Sequence, residues 1–483
     1  MRSRTIVGAD RYADGCRLSC MDRALESRIT KLNDRGPADG QCVVYWMQSS
    51  IRVAENPALT MATSEANKRH LPLLVLFSID PTIPSANRRN FAFMAEALQD
   101  TAVKLESAGA RVCIRTGDAV ENVVKVCREV KPAVIVTDES HLNEGRRRRE
   151  AVAGQVGCTM LQVDGNVIVP VRLIPGEQYA AYTIRPRLMK VLDEYIRPFP
   201  PVRPESKGKW LAESDVDARE VVAEVTRLNL SDITPSPLFR GGETETDKTL
   251  EQFVEKRLDG YAENRNRPER YFTSDLSPYL RFGCISPARM IRQVLERREK
   301  LPEEVDAFVE EAFVRRELAE NFTFYDRGYR SLAALPNWAA RTLDDHRKDR
   351  RQHLFTLDEL EEGRTGDELW DAAQKEMVVK GKMAGYMRMY WGKRVLEWTR
   401  TPDEALNILL YLNDKYEIDG RSPNGYAGVL WCFGKHDRAF VERPVYGKIR
   451  YMSPAAQRKK FDIQEYVRRV SRLDKGLPPR GNW

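Results

Sequence analysis

The sequence contains no apolar stretch near the roughly eighteen residues that a membrane-spanning helix needs, so no membrane partner is expected. No apolar core follows the opening MRSRTIVGAD, which argues against a secretory leader. Histidine is scarce, with five in 483 residues (His70, His141, His346, His353, His436), and they are dispersed. A Cys/His zinc site is therefore not expected, and no metal is assigned. The eight cysteines are scattered and only Cys16 and Cys20 are close together, so free thiols are expected rather than a disulfide framework. There is no internal repeat and no Gly-x-Gly-x-x-Gly after the first apolar run, which removes the usual dinucleotide grip.

What remains is a chain of 55.5 kDa, 42% apolar and 31% charged, long enough for two or three domains. Its formal charge of +7 permits an anionic partner. Basic residues cluster at Arg146–Arg149, from Arg347 to Arg351 and at Arg458–Lys460, and the first of these reads as a solvated helix face. Short β-branched runs at 42–47, 71–77, 110–115, 133–138 and 158–163 alternate with helical stretches, the pattern of a parallel sheet covered on both faces. After about Thr246 strand patterns nearly vanish and helical periodicity takes over. The expected organisation is an extension over 1–40, a Rossmann-like α/β domain over 41–175, an interdomain linker over 176–245 and a large all-α domain over 246–483.

Four stretches carry candidate chemistry. In RYFTSDLSPYLRFG the hydroxyls Thr273, Ser274 and Ser277 bunch around an acid ahead of a helix-starting Pro278, a turn suited to phosphates or simply an N-cap. In VEEAFVRRELAENF, Glu311 and Arg315 are i,i+4 neighbours, ordinarily a surface pair. In GYMRMYWGKRVLEW, Met387, Trp391, Val395 and Trp398 form one apolar stripe, while Arg388 and Met389 point elsewhere. Seven residues of helix separate the two indoles by about 10 Å. Five of the eight tryptophans (Trp338, Trp370, Trp391, Trp398, Trp431) fall within 94 positions. Finally NDKYEIDGRSPNGYAGVLW reads as a polar, glycine-rich loop after that helix, either a ligand loop or a plain connection.

Taken with YWMQSSIRVAENPAL, WDAAQKEMVVKGKMAGYMRMYW and HDRAFVERPVYGKIRYM, these segments resemble the class II cyclobutane pyrimidine dimer photolyases, from about residue 41 to 453. The resemblance implies an antenna-type α/β domain joined to a helical FAD-binding domain. It implies light-driven repair of pyrimidine dimers in DNA by fully reduced FAD, without net redox change. It assigns Tyr261, Thr273, Ser274 and Ser277 to the flavin phosphates and Arg388 with Asp419 to the charged pair beside the isoalloxazine. Asn413 falls near flavin N5, and Asp437 near the flavin. Glu311, Met389 and Trp431 fall on the dimer pocket, and Trp391, Trp370 and Trp398 on the electron-transfer tryptophans. A second, antenna chromophore has no identifying motif.

The chain departs from the pattern at Ala384, where the family has histidine, and at Val314, which leaves the second wall of the pocket unassigned. The first forty residues match nothing in the family. A monomer is expected, cytoplasmic and nucleoid-associated if the source is prokaryotic. A cryptochrome-like photosensor is the alternative reading. Against it, the chain ends soon after the last family motif, with no long tail. A (6–4) photoproduct lyase would need histidine at the lesion, for which His436 is the candidate.

Overall fold

The computed structural model describes residues 20–84, 86–201, 203–208 and 212–475, with side chains from Arg23 onward. Six strands form one sheet: β1 (Ile29–Lys31), β2 (Cys42–Trp46), β3 (Leu73–Ile79), β4 (Arg111–Thr116), β5 (Pro132–Asp138) and β6 (Thr159–Val163), in the order β1-β6-β5-β2-β3-β4. All neighbours are parallel except β1, which pairs antiparallel with β6. Every residue of β2 and β5 is buried, as a strand covered on both faces requires. Alternation sorts their side chains. Val43, Tyr45 and Val75 meet the helices Pro57–Lys68 and Arg88–Ser107, while Val44, Trp46 and Leu74 meet Ala119–Val130 and Asn143–Gln155.

Three expectations about the first half of the chain change. Residues 29–31, assigned to an extension, form the edge strand of the sheet, and three residues are too few to show periodicity. The run Arg146–Arg149 is not a solvated face. Arg149 is buried and donates to Gln162 and to the Ser140 carbonyl, Arg146 donates to the Phe324 carbonyl and lies over that ring, and Arg148 pairs with Asp80. The linker is packed rather than free. It holds the helix Ala181–Tyr195, with Ile184, Leu188 and Leu192 in the core, and the helix Val221–Arg227 against Arg88–Ser107.

The all-α region holds two cores. One is continuous with the sheet and extends through Leu250, Phe253, Phe308 and Phe313 to Leu318. The other begins at Ala319 and contains Trp370, Trp391 and Trp398. Arg89, at the start of its helix, joins the two parts by donating to the carbonyls of Thr234, Met377, Val378 and Tyr416. The stretch read as a loop over 413–431 is largely helical. Asn413 lies in the helix Pro402–Tyr416, and Ser422 caps the helix Pro423–Trp431 by accepting from Gly425 N–H at 3.1 Å. Its glycines lower helix propensity, and Gly425 is small for a reason, since a Cβ there would stand 3.2 Å from Asn413 Nδ2.

Candidate active site

The turn before the helix Ser277–Phe282 is built around one buried acid. Tyr271 and Asp275 adopt left-handed backbone, with φ of 55° and 60°. That geometry lets Asp275 accept from the Tyr271 hydroxyl at 2.6 Å and from Thr273 Oγ1 at 3.2 Å. Arg257 lies 3.2 Å from its carboxylate, and Lys380 and Lys382 each lie 3.3 Å away. Burial alone would raise this carboxyl, but Lys380, Lys382 and Arg257 outweigh it and hold the group far below the ordinary range. Arg469 and its partner Glu376 complete the cluster. Four cations thus face two acids, and the surplus positive charge underlies the hydroxyl-rich turn.

Above this turn opens a cavity of about 330 Å³, lined by Tyr261, Ser274, Ser277, Glu311, Arg388 and Asp419, among others. Arg388, from the helix Gly385–Trp398, donates through Nη2 to Glu417 at 2.8 Å and to Asp419 at 2.8 and 3.0 Å. One guanidinium serves two acids, which separates them. Burial raises Glu417 to about 8, with Arg388 only partly opposing it and Asp419 reinforcing it. Asp419 is equally buried, yet Arg388 and the Ser277 hydroxyl pull it below its ordinary value. At neutral pH Asp419 carries the charge and Glu417 holds a proton. Asn413 stands directly behind the cavity wall at Gly425, its Nδ2 donating to Asp414 at 3.0 Å.

Glu311 lies on a π turn, Glu310–Arg315, inserted between the helices Pro302–Val309 and Arg316–Tyr325. Such wide turns recur at functional sites because they turn side chains out of register. The expected pair with Arg315 is present at 3.2 Å, and Arg265 approaches more closely, at 2.6 Å. Tyr261 is buried beneath, edge-on to Phe253 and Phe308, and burial, reinforced by Glu311, raises its phenol.

The tryptophans form a bent stack rather than a line along one helix. Trp370 sits between the other two, stacked on Trp391 at 6.4 Å and edge-on to Trp398 at 5.4 Å. Trp391 Nε1 donates to Gln374 Oε1 and Trp370 Nε1 to the Trp391 carbonyl, both at 2.9 Å. Gly392 permits the close approach of Cys432, whose Sγ would lie 2.5 Å from a Cβ there.

Trp431 and Met389 are half-buried and do not line the cavity itself. Trp431 packs at its edge, against His436 at 5.6 Å and under the Arg315 guanidinium. His436 donates through Nδ1 to the Tyr179 carbonyl, and burial, only partly opposed by that bond, lowers it to about 4. Asp437 also lies outside the lining, its carboxylate accepting from the next backbone N–H.

Sequence reading missed Glu417, Gln374 and the cations Arg257, Lys380 and Lys382. All but Arg257 lie inside the quoted segments, yet each matters only through its partner in the fold. It also missed a buried junction in which His141 meets Glu320 at 2.8 Å and Asp164 at 3.2 Å. Glu139, at metal-ligand spacing from His141 and Asp164, already has both oxygens on Arg172. A second cavity of about 580 Å³ opens at the C-terminal ends of β2 and β3, lined by Trp46, Met47, Phe77, Asp80 and Met94.

A family model described as DNA photolyase matches residues 43–205. A deoxyribodipyrimidine photo-lyase of Methanothermobacter thermautotrophicus is 41% identical over 448 residues, which cover 92% of this chain and 98% of that one. Two solved structures share the fold. A bacterial class III photolyase from Agrobacterium tumefaciens has a TM-score of 0.73 at 20% identity, covering 90% of this chain and 87% of that one. An archaeal photolyase from Sulfolobus tokodaii with two FAD molecules has a TM-score of 0.65 at 16% identity, covering 91% and 96%. With a relative this similar along nearly its whole length, the chain belongs to the photolyase/cryptochrome family.

Proposed function

We propose that the chain is a class II cyclobutane pyrimidine dimer photolyase, a light-driven lyase that restores dimers in DNA with FAD as its cofactor. The family supports the lyase chemistry and the flavin. The observation that carries the reading is the cavity with its surplus cations under a hydroxyl turn at one end and the Arg388–Asp419 pair in its wall.

That chemistry suits a flavin dinucleotide. Buried donors of the lining residues, among them Ser49 Oγ and Arg316 Nη1, have no hydrogen-bond partner among the described residues. A wall built to meet a polar ligand leaves such groups open. Tyr261, Thr273, Ser274 and Ser277 would hold the diphosphate side. Arg388 with Asp419 would meet the polar edge of the ring, Asn413 would face its N5, and Asp437 would lie farther out. When bound and fully reduced, FAD supplies the photoexcited electron that opens the cyclobutane ring and receives it back.

The chain's own residues do the rest. The exposed cations Arg438, Arg443, Lys448 and Arg450 follow the helix that ends at Trp431, and they would neutralise phosphates of a duplex whose dimer is flipped out. Glu311, once it carries a proton, would donate a hydrogen bond where negative charge develops on the dimer, with Met389 and Trp431 lining the lesion side. Trp391, Trp370 and Trp398 would pass an electron inward to reduce the cofactor. The indole N–H groups of Trp391 and Trp370 donate to neutral acceptors that are not bases, so an oxidised indole keeps its proton while its neighbour refills it. An antenna chromophore would suit the second cavity, because ligands of open parallel sheets bind at strand C-termini.

The test is repair of a dimer-containing oligonucleotide by flavin-loaded protein, with and without blue light. Light-dependent reversal without strand cleavage is expected, and Glu311→Ala lowers its quantum yield at unchanged flavin content. A protein that photoreduces its flavin yet leaves the dimer intact is instead a photosensor of the cryptochrome kind.

A further inference from the structure

Arg315 closes the π turn and lies over the face of Trp431, its guanidinium carbon 5.4 Å from the indole centroid. Its Nε faces Glu311 at 3.2 Å and Glu310 at 3.4 Å, without a good hydrogen bond to either. Both acids have closer partners. Arg185 grips Glu310 through two bonds of 2.9 Å, and Arg265 holds Glu311 at 2.6 Å. Arg315 is therefore the loosest member of the cluster. With its side chain 38% exposed, it can swing away without stranding a carboxylate.

We infer that Arg315 is the movable wall of the lesion pocket: it shields Trp431 in the resting protein and stacks a flipped pyrimidine against that indole when DNA binds. This rests on the photolyase reading and assigns the wall that the sequence left open beside Val314. A guanidinium is planar and stacks on bases as it does on indole, which an ammonium cannot do. Two stacked contacts at about 3.5 Å each need about 7 Å between the flanking planes. The present 5.4 Å leaves no room for an interposed ring, so the side chain must retreat as the base arrives. Its charge then stands beside the pyrimidines on which negative charge develops. A surface ion pair would be the plain alternative, and such pairs contribute little.

The experiment compares Arg315→Ala, Arg315→Lys and Arg315→Gln, with flavin content and tryptophan photoreduction as the control for folding. Kd is measured for a duplex bearing one dimer and for the undamaged duplex. A stacking wall predicts that Arg315→Ala weakens the damaged duplex about tenfold and the undamaged one less than about twofold. Arg315→Lys then stays as impaired as alanine, and Arg315→Gln, which keeps a planar group, recovers part of the loss. Rescue by lysine, with damaged and undamaged DNA weakened alike, makes Arg315 a phosphate contact and overturns the inference. Unchanged binding in Arg315→Ala makes it an ion pair and overturns it too. If the wild-type protein fails to reverse dimers in light, the photolyase reading itself falls, and that result is read before any variant is made.

Discussion

The helix Gly385–Trp398 buries polar groups in two opposite ways on two of its faces. On one, Arg388 is ringed by Glu417, Asp419 and the Met383 carbonyl, its charge answered chiefly by Asp419. On the other, Trp391 stacks on Trp370, and their indole N–H groups reach only a carboxamide and a backbone carbonyl. The first arrangement fails if its cation is lost, because the acids beside it remain buried. The second tolerates the loss of a ring's chemistry if its shape is kept. The charged face is a matter of electrostatic completeness, the indole face one of packing.

The largest blow to the comparison is Arg388→Met. It leaves two buried acids without their cation, and unfolding experiments are expected to show a loss of about 3–5 kcal/mol together with loss of flavin binding. Trp391→Phe tests the opposite face. It keeps most of the volume, so stability falls by only about 1–2 kcal/mol, while photoreduction of oxidised flavin is blocked and repair by chemically reduced protein persists. Equal loss of both activities would make the indole purely structural. Gln374→Leu removes the acceptor of Trp391 Nε1 and is expected to cost about 1–3 kcal/mol by denaturant titration.

The smallest effect belongs to Glu417→Gln. Burial raises this acid above its unfolded value of 4.5 to about 8. Its protonated form therefore contributes stability that is complete below pH 4.5 and is lost as pH rises through 8. Glutamine cannot titrate, so the variant's Tm should fall less between those limits. A wild-type profile as flat as the variant's would mean that Glu417 stays ionised beside Arg388.

The sheet was legible because parallel strands covered on both faces are nearly continuous apolar runs, and five strands lie within two residues of their expected limits. The edge strand Ile29–Lys31 was not, since its short antiparallel pairing leaves no pattern. Arg146–Arg149 misled because the partners that take these arginines out of solvent are distant in sequence, Phe324 for Arg146, Asp80 for Arg148 and Gln162 for Arg149. At the site, motif residues such as Ser274, Ser277, Arg388 and Asp419 come together as the motifs suggest. Their partners did not declare themselves. Glu417 is one acid among many until the chain reversal beyond Tyr416 sets it beside Arg388, and Trp370, grouped with the other indoles by resemblance, gives no sign in the sequence of lying between them.

The π turn at Glu310–Arg315 has a consequence for how this protein can vary. A single residue advances an α-helix by about 100°, so the wide turn acts as a phase shifter between two helices that look continuous in sequence. Glu311, before the shift, faces the open cavity, whereas Glu317, after it, is buried and accepts the backbone N–H groups of Ile168 and Val169 in the other domain. Deleting one residue here would preserve every helix and every motif yet rotate one acid out of step with the other. Length across this turn is thus as much a part of the site as the identity of any side chain in it.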